Sequence, residues 1–413
     1  MSLEQLKAQF EEVKAKNLSL DMTRGKPGPE QLDLSNGMLD LVTSSDFKTE
    51  GGADTRNYGG LDGIPEAKEL FKDFLEVSSV DEVVVGGNSS LTLMYNTISQ
   101  AVTHGVCDSD ESWGKSGAKF ICPSPGYDRH FSVCQHFGID MITTSYTNEG
   151  PNMDEIEKLV AEDASIKGVW IVPKYGNPTG LSCSDEVVDR LANMKTAAKD
   201  FRIFWDNAYS VHHLSEDQDE VKNILEACKK AGNPNRPFIF VSTSKISFAG
   251  AGVSAVGGSK ENMDWQREHL FFSTIGPDKV NQVRHTRFFK DIDGLKAHMA
   301  KHATILKPRF DKTLEVLENE LGGTGLATWT SPKGGYFVSL DTPNGTAKKV
   351  VALAAEAGVK LTGAGATFPY KKDPNDCNIR LAPSLPSVAE IDEAMKVVCL
   401  CVKIAAAELA VVA

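Results

Sequence analysis

Near-continuous apolar runs of strand length, each broken off by a glycine, a proline or a polar residue, frame this chain. They include Val83-Val84-Val85, Lys119-Phe120-Ile121-Cys122, Gly168-Val169-Trp170-Ile171-Val172, Arg202-Ile203-Phe204-Trp205 and Phe238-Ile239-Phe240-Val241. Runs that do not alternate with polar residues belong to strands buried on both faces. Stretches of helical period separate them, as in Ser89 to Thr103, where Leu91, Leu93, Met94, Ile98 and Val102 recur. Strands alternating with helices predict βαβ units and a mostly parallel sheet. The expected fold class is α/β, a large domain with that sheet plus a smaller α+β domain.

The pattern changes near residue 285. Lys290 to Leu321 reads as one long charged helix. Trp329 to Leu340 and Cys377 to Leu381 read as strands, and Ala347–Ala357 and Val388–Ala407 as helices. The first 45 residues carry no sheet pattern and are assigned to the smaller unit. The expected boundaries are 46–290 for the large domain, and 1–45 with 291–413 for the small domain and its N-terminal arm.

Composition narrows the function classes. The 413 residues are 41% hydrophobic and 24% charged, ordinary for a globular protein. With 44 Lys and Arg against 56 Asp and Glu, the net charge of −12 argues against nucleic acid or an anionic membrane as partner. The apolar C-terminal stretch is interrupted by Lys403 and Glu408 and falls short of the roughly 20 residues a membrane span needs. The N-terminus has the charges of an amphipathic helix, not of a signal peptide. Eight cysteines show no CxxC and no metal spacing, which points to reduced thiols in the cytoplasm.

Ligands of open parallel sheets bind at the carboxyl ends of the strands, so the residues that follow each run carry the chemistry. After Val85 come Gly86-Gly87-Asn88-Ser89-Ser90 and then a helix. Small residues, hydroxyls and free N–H groups at a helix start can hold a phosphate, although the same turn can be an ordinary N-cap. After Pro173 comes Lys174-Tyr175-Gly176-Asn177-Pro178-Thr179-Gly180, a turn able to aim the Asn177 amide into a cleft. Asp206 follows Trp205, with Tyr209 three residues on. A carboxylate there must cap a helix or meet a cation, and a protonated pyridine nitrogen is one such cation. Ser242-Thr243-Ser244-Lys245 follows Val241 and leads to Gly250-Ala251-Gly252. A lysine in that position is either a loop residue or an amine whose pKa is lowered for Schiff-base chemistry. A phosphate cup, an amide, a carboxylate and an amine make up the inventory that holds pyridoxal 5′-phosphate.

In this order the motifs resemble the fold-type I pyridoxal-phosphate enzymes, specifically class I aminotransferases and a bacterial branch of aspartate aminotransferases. The resemblance runs from about Asp21 to Met395. It rests on Arg24-Gly25-Lys26-Pro27, Arg56-Asn57-Tyr58, Pro125-Gly126-Tyr127-Asp128-Arg129-His130-Phe131, Phe204-Trp205-Asp206-Asn207-Ala208-Tyr209, Gly334-Gly335-Tyr336-Phe337 and Asn378-Ile379-Arg380-Leu381.

The resemblance implies that Lys245 holds the cofactor as an aldimine and then moves the substrate Cα proton. Asp206 pairs with the pyridinium nitrogen, Tyr209 and Asn177 bond the ring oxygen, and Tyr127 stacks on the ring. Asn88, Ser89, Ser90 and Ser242 hold the phosphate, reached also by Tyr58 of a second subunit in a homodimer. Arg380 clamps the substrate carboxylate, with Asn177, Arg24 and Gly25 completing the substrate site. The implied reaction is ping-pong transfer of the amino group of aspartate to 2-oxoglutarate. A lyase on the same fold, or an aminotransferase for another amino acid, stays open, as fold does not fix chemistry. Arg24, Lys26, Arg129 and Arg284 are candidates for the cation that reads a side-chain carboxylate.

Two positions depart from the family pattern. Val253 stands where an arginine usually meets the phosphate, eight residues after Lys245, and Gly363-Ala364-Gly365 replaces a proline-glycine turn. His212-His213 is not expected to bind metal, since no third ligand is evident at a fixed spacing. Phe288-Phe289 reads as core or dimer contact.

Overall fold

The computed structural model describes residues 2–412. Seven strands form the central sheet: β1 (Val83–Val85), β2 (Lys119–Pro123), β3 (Asp140–Thr144), β4 (Ile166–Ile171), β5 (Arg202–Asp206), β6 (Pro237–Ser242) and β7 (Ser254–Gly258). Their order is β1-β7-β6-β5-β4-β2-β3. Only β7 runs against the others, pairing antiparallel with both β6 and β1. The carboxyl ends of β1, β2, β4, β5 and β6 therefore share one edge.

Both faces of the sheet are buried, and the period-2 alternation divides them by residue type. Phe120, Trp170, Phe204, Phe238 and Phe240 pack on one face, with the Phe204 and Phe240 rings stacked 5.9 Å apart. Ile121, Val169, Ile171, Ile203, Trp205, Ile239 and Val241 pack on the other. Gly168 has no room for a side chain, because a Cβ there would meet the Phe120 ring at 2.5 Å.

The helix after β1 spans Ser90–His104 and is capped by Ser89, whose Oγ accepts from the Leu91 N–H at 3.1 Å. The long helix spans Ile292–Leu321. Its first turns, with Leu295 and Met299, pack under the large sheet. From Leu306 onward it packs in a second apolar cluster with Leu6, Phe10, Met22, Leu340, Val350, Ile379 and Val398. That cluster lies around a three-stranded antiparallel sheet, β8 (Thr328–Trp329), β9 (Val338–Asp341) and β10 (Asn378–Leu381), and against the helices Leu3–Ala15, Ala347–Glu356 and Val388–Val412. The expected single strand from Trp329 to Leu340 is thus two antiparallel strands. Pro332-Lys333-Gly334-Gly335 turns the chain between them, with Gly335 at φ +79°.

None of the eight cysteines is paired, and all but Cys107 and Cys377 are buried. Among the described residues no helix is long and apolar enough to cross a membrane. Phe289 is buried in the large core, and Phe288 packs against it.

Candidate active site

The strand ends meet at a cavity of about 110 Å3 lined by Ser89, Ser90, Tyr127, Asn177, Asp206, Tyr209, Ser242, Ser244 and Lys245, among others. Residues as far apart in sequence as Ser89 and Lys245 converge there because parallel strands deliver their loops to one edge.

Asp206 is the last residue of β5 and is 3% exposed. His130 Nε2 lies 2.8 Å from its Oδ2, and its Oδ1 is buried without a partner. His130 is itself buried and stacked on Trp170, with ring centroids 4.2 Å apart and planes 7° apart. One unsatisfied carboxylate oxygen in such a site is costly unless a ligand donates to it.

Lys245 sits in the turn that joins β6 to β7. Its Nζ lies 5.3 Å from the Tyr209 ring and 5.9 Å from the Tyr336 ring, with no ion pair among the described residues. Removal from bulk water lowers its pKa; Asp206 opposes that shift and the Arg380 charge adds to it. Burial first, and then neighbouring charge, raises the Tyr127 and Tyr209 hydroxyls, so both remain donors at neutral pH.

Arg380, on β10, is 7% exposed and reaches the same edge. Its Nη1 donates to Asp128 Oδ1 at 2.8 Å and to Asn177 Oδ1 at 3.2 Å, and Nη2 lies 3.4 Å from Thr362 Oγ1. The guanidinium rests 4.9 Å from the Phe337 ring. Gly25 packs on the same ring, where a Cβ would come within 2.5 Å of it, so the Arg24-Gly25-Lys26 segment borders the arginine.

Other expected residues lie elsewhere. The Asn88 amide is spent on the glycine loop, donating to the Ala249 carbonyl at 3.1 Å and accepting from the Gly252 N–H. Val253 is buried and holds Thr243 through its backbone, accepting from the Thr243 N–H and donating to Oγ1, each at 2.9 Å. Tyr58 is 83% exposed and does not reach this cavity. Arg24, Lys26 and Arg129 are exposed and Arg284 is half-buried; none of the four lines the cavity. His213 Nδ1 is 2.7 Å from Tyr175 Oη, whereas both nitrogens of His212 are buried without partners.

Three contributors went unread in the sequence. Ser244 lines the cavity and lies inside the Ser242-Thr243-Ser244-Lys245 run that pointed there. His130 and Asp128 lie inside the quoted Tyr127-Asp128-Arg129-His130 motif, which was given a role only at Tyr127, and the structure places both in the first turn of the helix Asp128–His136.

Pyridoxal 5′-phosphate fits these groups. The partnerless Asp206 oxygen suits a protonated ring nitrogen, the Lys245 amine suits an aldehyde, and the serine-lined helix start suits a phosphate. A lysine and a carboxylate so placed on this sheet define a fold-type I pyridoxal-phosphate enzyme.

Comparison with known proteins narrows the class. The sequence profile of the family described as aspartate amino-transferase matches residues 2–412. An aspartate aminotransferase from Corynebacterium glutamicum is 50% identical over 406 residues, 98% of this chain and 94% of the relative. A crystal structure of an aspartate transaminase from that species superposes with a TM-score of 0.96 at 49% identity, covering 98% of this chain and 96% of that one. At 18% identity, an α-aminoadipate aminotransferase from Thermus thermophilus, solved with N-(5′-phosphopyridoxyl)-L-leucine, shares the fold with a TM-score of 0.78 over 97% of this chain and 95% of that one. The chain belongs to the aspartate aminotransferase family.

Proposed function

We propose that this chain moves the amino group of aspartate to 2-oxoglutarate, with pyridoxal 5′-phosphate seated between Lys245 and Asp206, and that it works as a cytoplasmic homodimer. One observation carries the reading: a single cavity holds an amine free of ion pairs and a buried carboxylate oxygen free of hydrogen bonds. The kinship with a named aspartate aminotransferase supports aspartate as donor.

Bound there, the cofactor supplies an aldehyde carbon and an electron-withdrawing ring. The rest falls to side chains of this protein. Asp206 Oδ1 accepts the ring N–H while His130 holds Oδ2. Lys245, its pKa lowered by burial, takes the proton from the substrate Cα and returns it. Tyr209 and Asn177 would donate to the cofactor's ring oxygen, and the Tyr127 ring would supply an aromatic surface for it, as all three line the cavity. Ser89, Ser90, Ser242 and Ser244 hold the phosphate, and Asn88 shapes the loop beside it. Arg380 binds the α-carboxylate, with Asn177, Gly25 and Arg24 around it. One of Arg24, Lys26, Arg129 and Arg284 reads the side-chain carboxylate.

The dimer reading rests on an apolar surface. Phe271, Phe272 and Ile275 are exposed, and Gly276 packs against the carbonyls of Gly59 and Gly60 beside the exposed Tyr58. Large apolar side chains exposed side by side, as Phe271 and Phe272 are, favour a protein contact. Unpaired thiols suit a reducing compartment. We also assign residues 46–290 to the large domain, and 1–45 with 291–413 to the small one.

The test is an absorbance scan with aspartate and then 2-oxoglutarate, followed by borohydride reduction and peptide mapping. A band that aspartate bleaches and the keto acid restores, with label on Lys245, is the expected result. Inertness to aspartate with a response to another amino acid would remove the substrate assignment. Ammonia release without a keto acid would favour a lyase.

A further inference from the structure

A polar network lies buried behind Lys245, and no step above uses it. Its centre is Gln31, which is fully buried in the short helix Pro29–Asp33. The Gly28 N–H donates to Gln31 Oε1 at 3.1 Å, which fixes the orientation of the amide. Nε2 then donates to His302 Nδ1 and to Tyr336 Oη, each at 3.1 Å. A ring nitrogen that accepts carries no proton, so neutral His302 bears its proton on Nε2, 2.9 Å from the Ile246 carbonyl. His298 Nε2 meets that carbonyl at 3.0 Å and Ser35 Oγ at 3.2 Å. The Tyr336 hydroxyl, already accepting from Gln31, lies 3.5 Å from the carbonyl of Lys245 itself.

Two consecutive carbonyls, of residues 245 and 246, are thus tied to the N-terminal segment that carries Arg24 and Gly25. Apolar packing would fill this volume as stably, whereas a satisfied polar network specifies one geometry. We propose that Gln31, His302 and Tyr336 are positioning residues that hold the backbone of the lysine turn in register with the substrate-facing N-terminal segment. This rests on the reading of Lys245 as the proton-carrying amine. Displacing that backbone misplaces the amine relative to the substrate Cα, a loss in turnover and not in substrate binding.

The test uses holoenzyme variants Gln31→Leu, Tyr336→Phe, His302→Leu and His302→Gln. For each, kcat, KM for the amino donor and the pH at which the bound-cofactor absorbance changes are measured. Gln31→Leu, Tyr336→Phe and His302→Leu are expected to lower kcat about tenfold with KM within about twofold, and to move that pH. His302→Gln keeps an N–H near the position of Nε2 and is expected to recover most of the rate that His302→Leu loses. Should Gln31→Leu not fold, Tyr336→Phe decides, since it removes one oxygen. Unchanged kcat and absorbance pH in Tyr336→Phe, or equal loss in both His302 variants, would overturn the proposal. Borohydride mapping of the wild type separates the two readings. Cofactor on another lysine ends the Lys245 assignment, while cofactor on Lys245 with wild-type rates in every variant ends only the positioning role.

Discussion

His130 holds Asp206 by one oxygen only: Nε2 lies 2.8 Å from Oδ2, while Oδ1 has no partner in a residue that lines the cavity. The stacking of His130 on Trp170 fixes the imidazole, and the imidazole in turn fixes the carboxylate plane. His130→Phe keeps an aromatic ring against Trp170 and deletes the hydrogen bond. Hydrogen bonds to charged groups contribute about 1.5–3 kcal/mol, so the cofactor Kd should rise about tenfold to a hundredfold. Equilibrium dialysis measures this, and an unchanged Kd would show that Asp206 is held by its strand alone.

Arg380 is oriented before any substrate arrives. Asp128 and Asn177 share its Nη1, and the Phe337 ring lies beside its guanidinium. Lysine has neither the planar fork nor the second donor group. Arg380→Lys is expected to raise KM for aspartate by about tenfold or more, the worth of one charge-assisted hydrogen bond. Steady-state kinetics with aspartate and with alanine read the effect. Because the α-carboxylate is common to both, a loss confined to aspartate would move Arg380 to the side-chain carboxylate instead.

The strand ends were legible because β1, β2, β4, β5 and β6 are buried on both faces and each carries a run of consecutive apolar residues. Strand β7 was not: Ser254-Ala255-Val256-Gly257-Gly258 carries little strand propensity. Its glycines answer to packing instead, as a Cβ on Gly257 would come within 3.1 Å of Leu75 and 3.3 Å of the Glu82 carbonyl. His130 escaped notice for a related reason. A histidine in the first turn of the helix Asp128–His136 reads as solvent-facing, and only the approach of β4 and β5 buries it. The Gln31 network is invisible in sequence because its members lie about 270 residues apart.

Buried histidines set an acid limit on stability. Burial lowers the pKa of His285 and of His302 from 6.5 to about 4. His285 is bonded to Ser247 Oγ and the Asn281 carbonyl, each at 2.7 Å, and a proton added to His302 Nδ1 would oppose the Gln31 amide N–H. Between pH 6.5 and 4 the unfolded chain binds more protons than the folded one, so stability rises with pH across that window. The contribution is complete above 6.5 and is lost as pH falls through the folded-state values. Urea midpoints at pH 7.5 and pH 5 should therefore differ, with the lower at pH 5. His285→Gln should flatten the difference, and a flat profile in the wild type would sink the argument.

The exposed aromatic surface makes the last prediction. Phe272 is 81% exposed at the end of the helix Lys260–Ser273, next to Phe271. Gly276 has φ +152° and sits where a Cβ would come within 2.6 Å of the Gly59 carbonyl, which binds this corner to the loop of Tyr58. Covering a Phe side chain recovers roughly 1.5–3 kcal/mol, and two such rings on a symmetric interface count twice. Phe272→Glu puts a charge into the contact and should convert a dimer to a monomer at micromolar concentration in sedimentation velocity runs. The same variant should also hold cofactor less tightly, because Tyr58 would then lack a neighbouring phosphate to reach. A variant that sediments with the wild type would place the dimer contact elsewhere; a monomer with unaltered cofactor affinity would keep the interface and remove Tyr58 from the site.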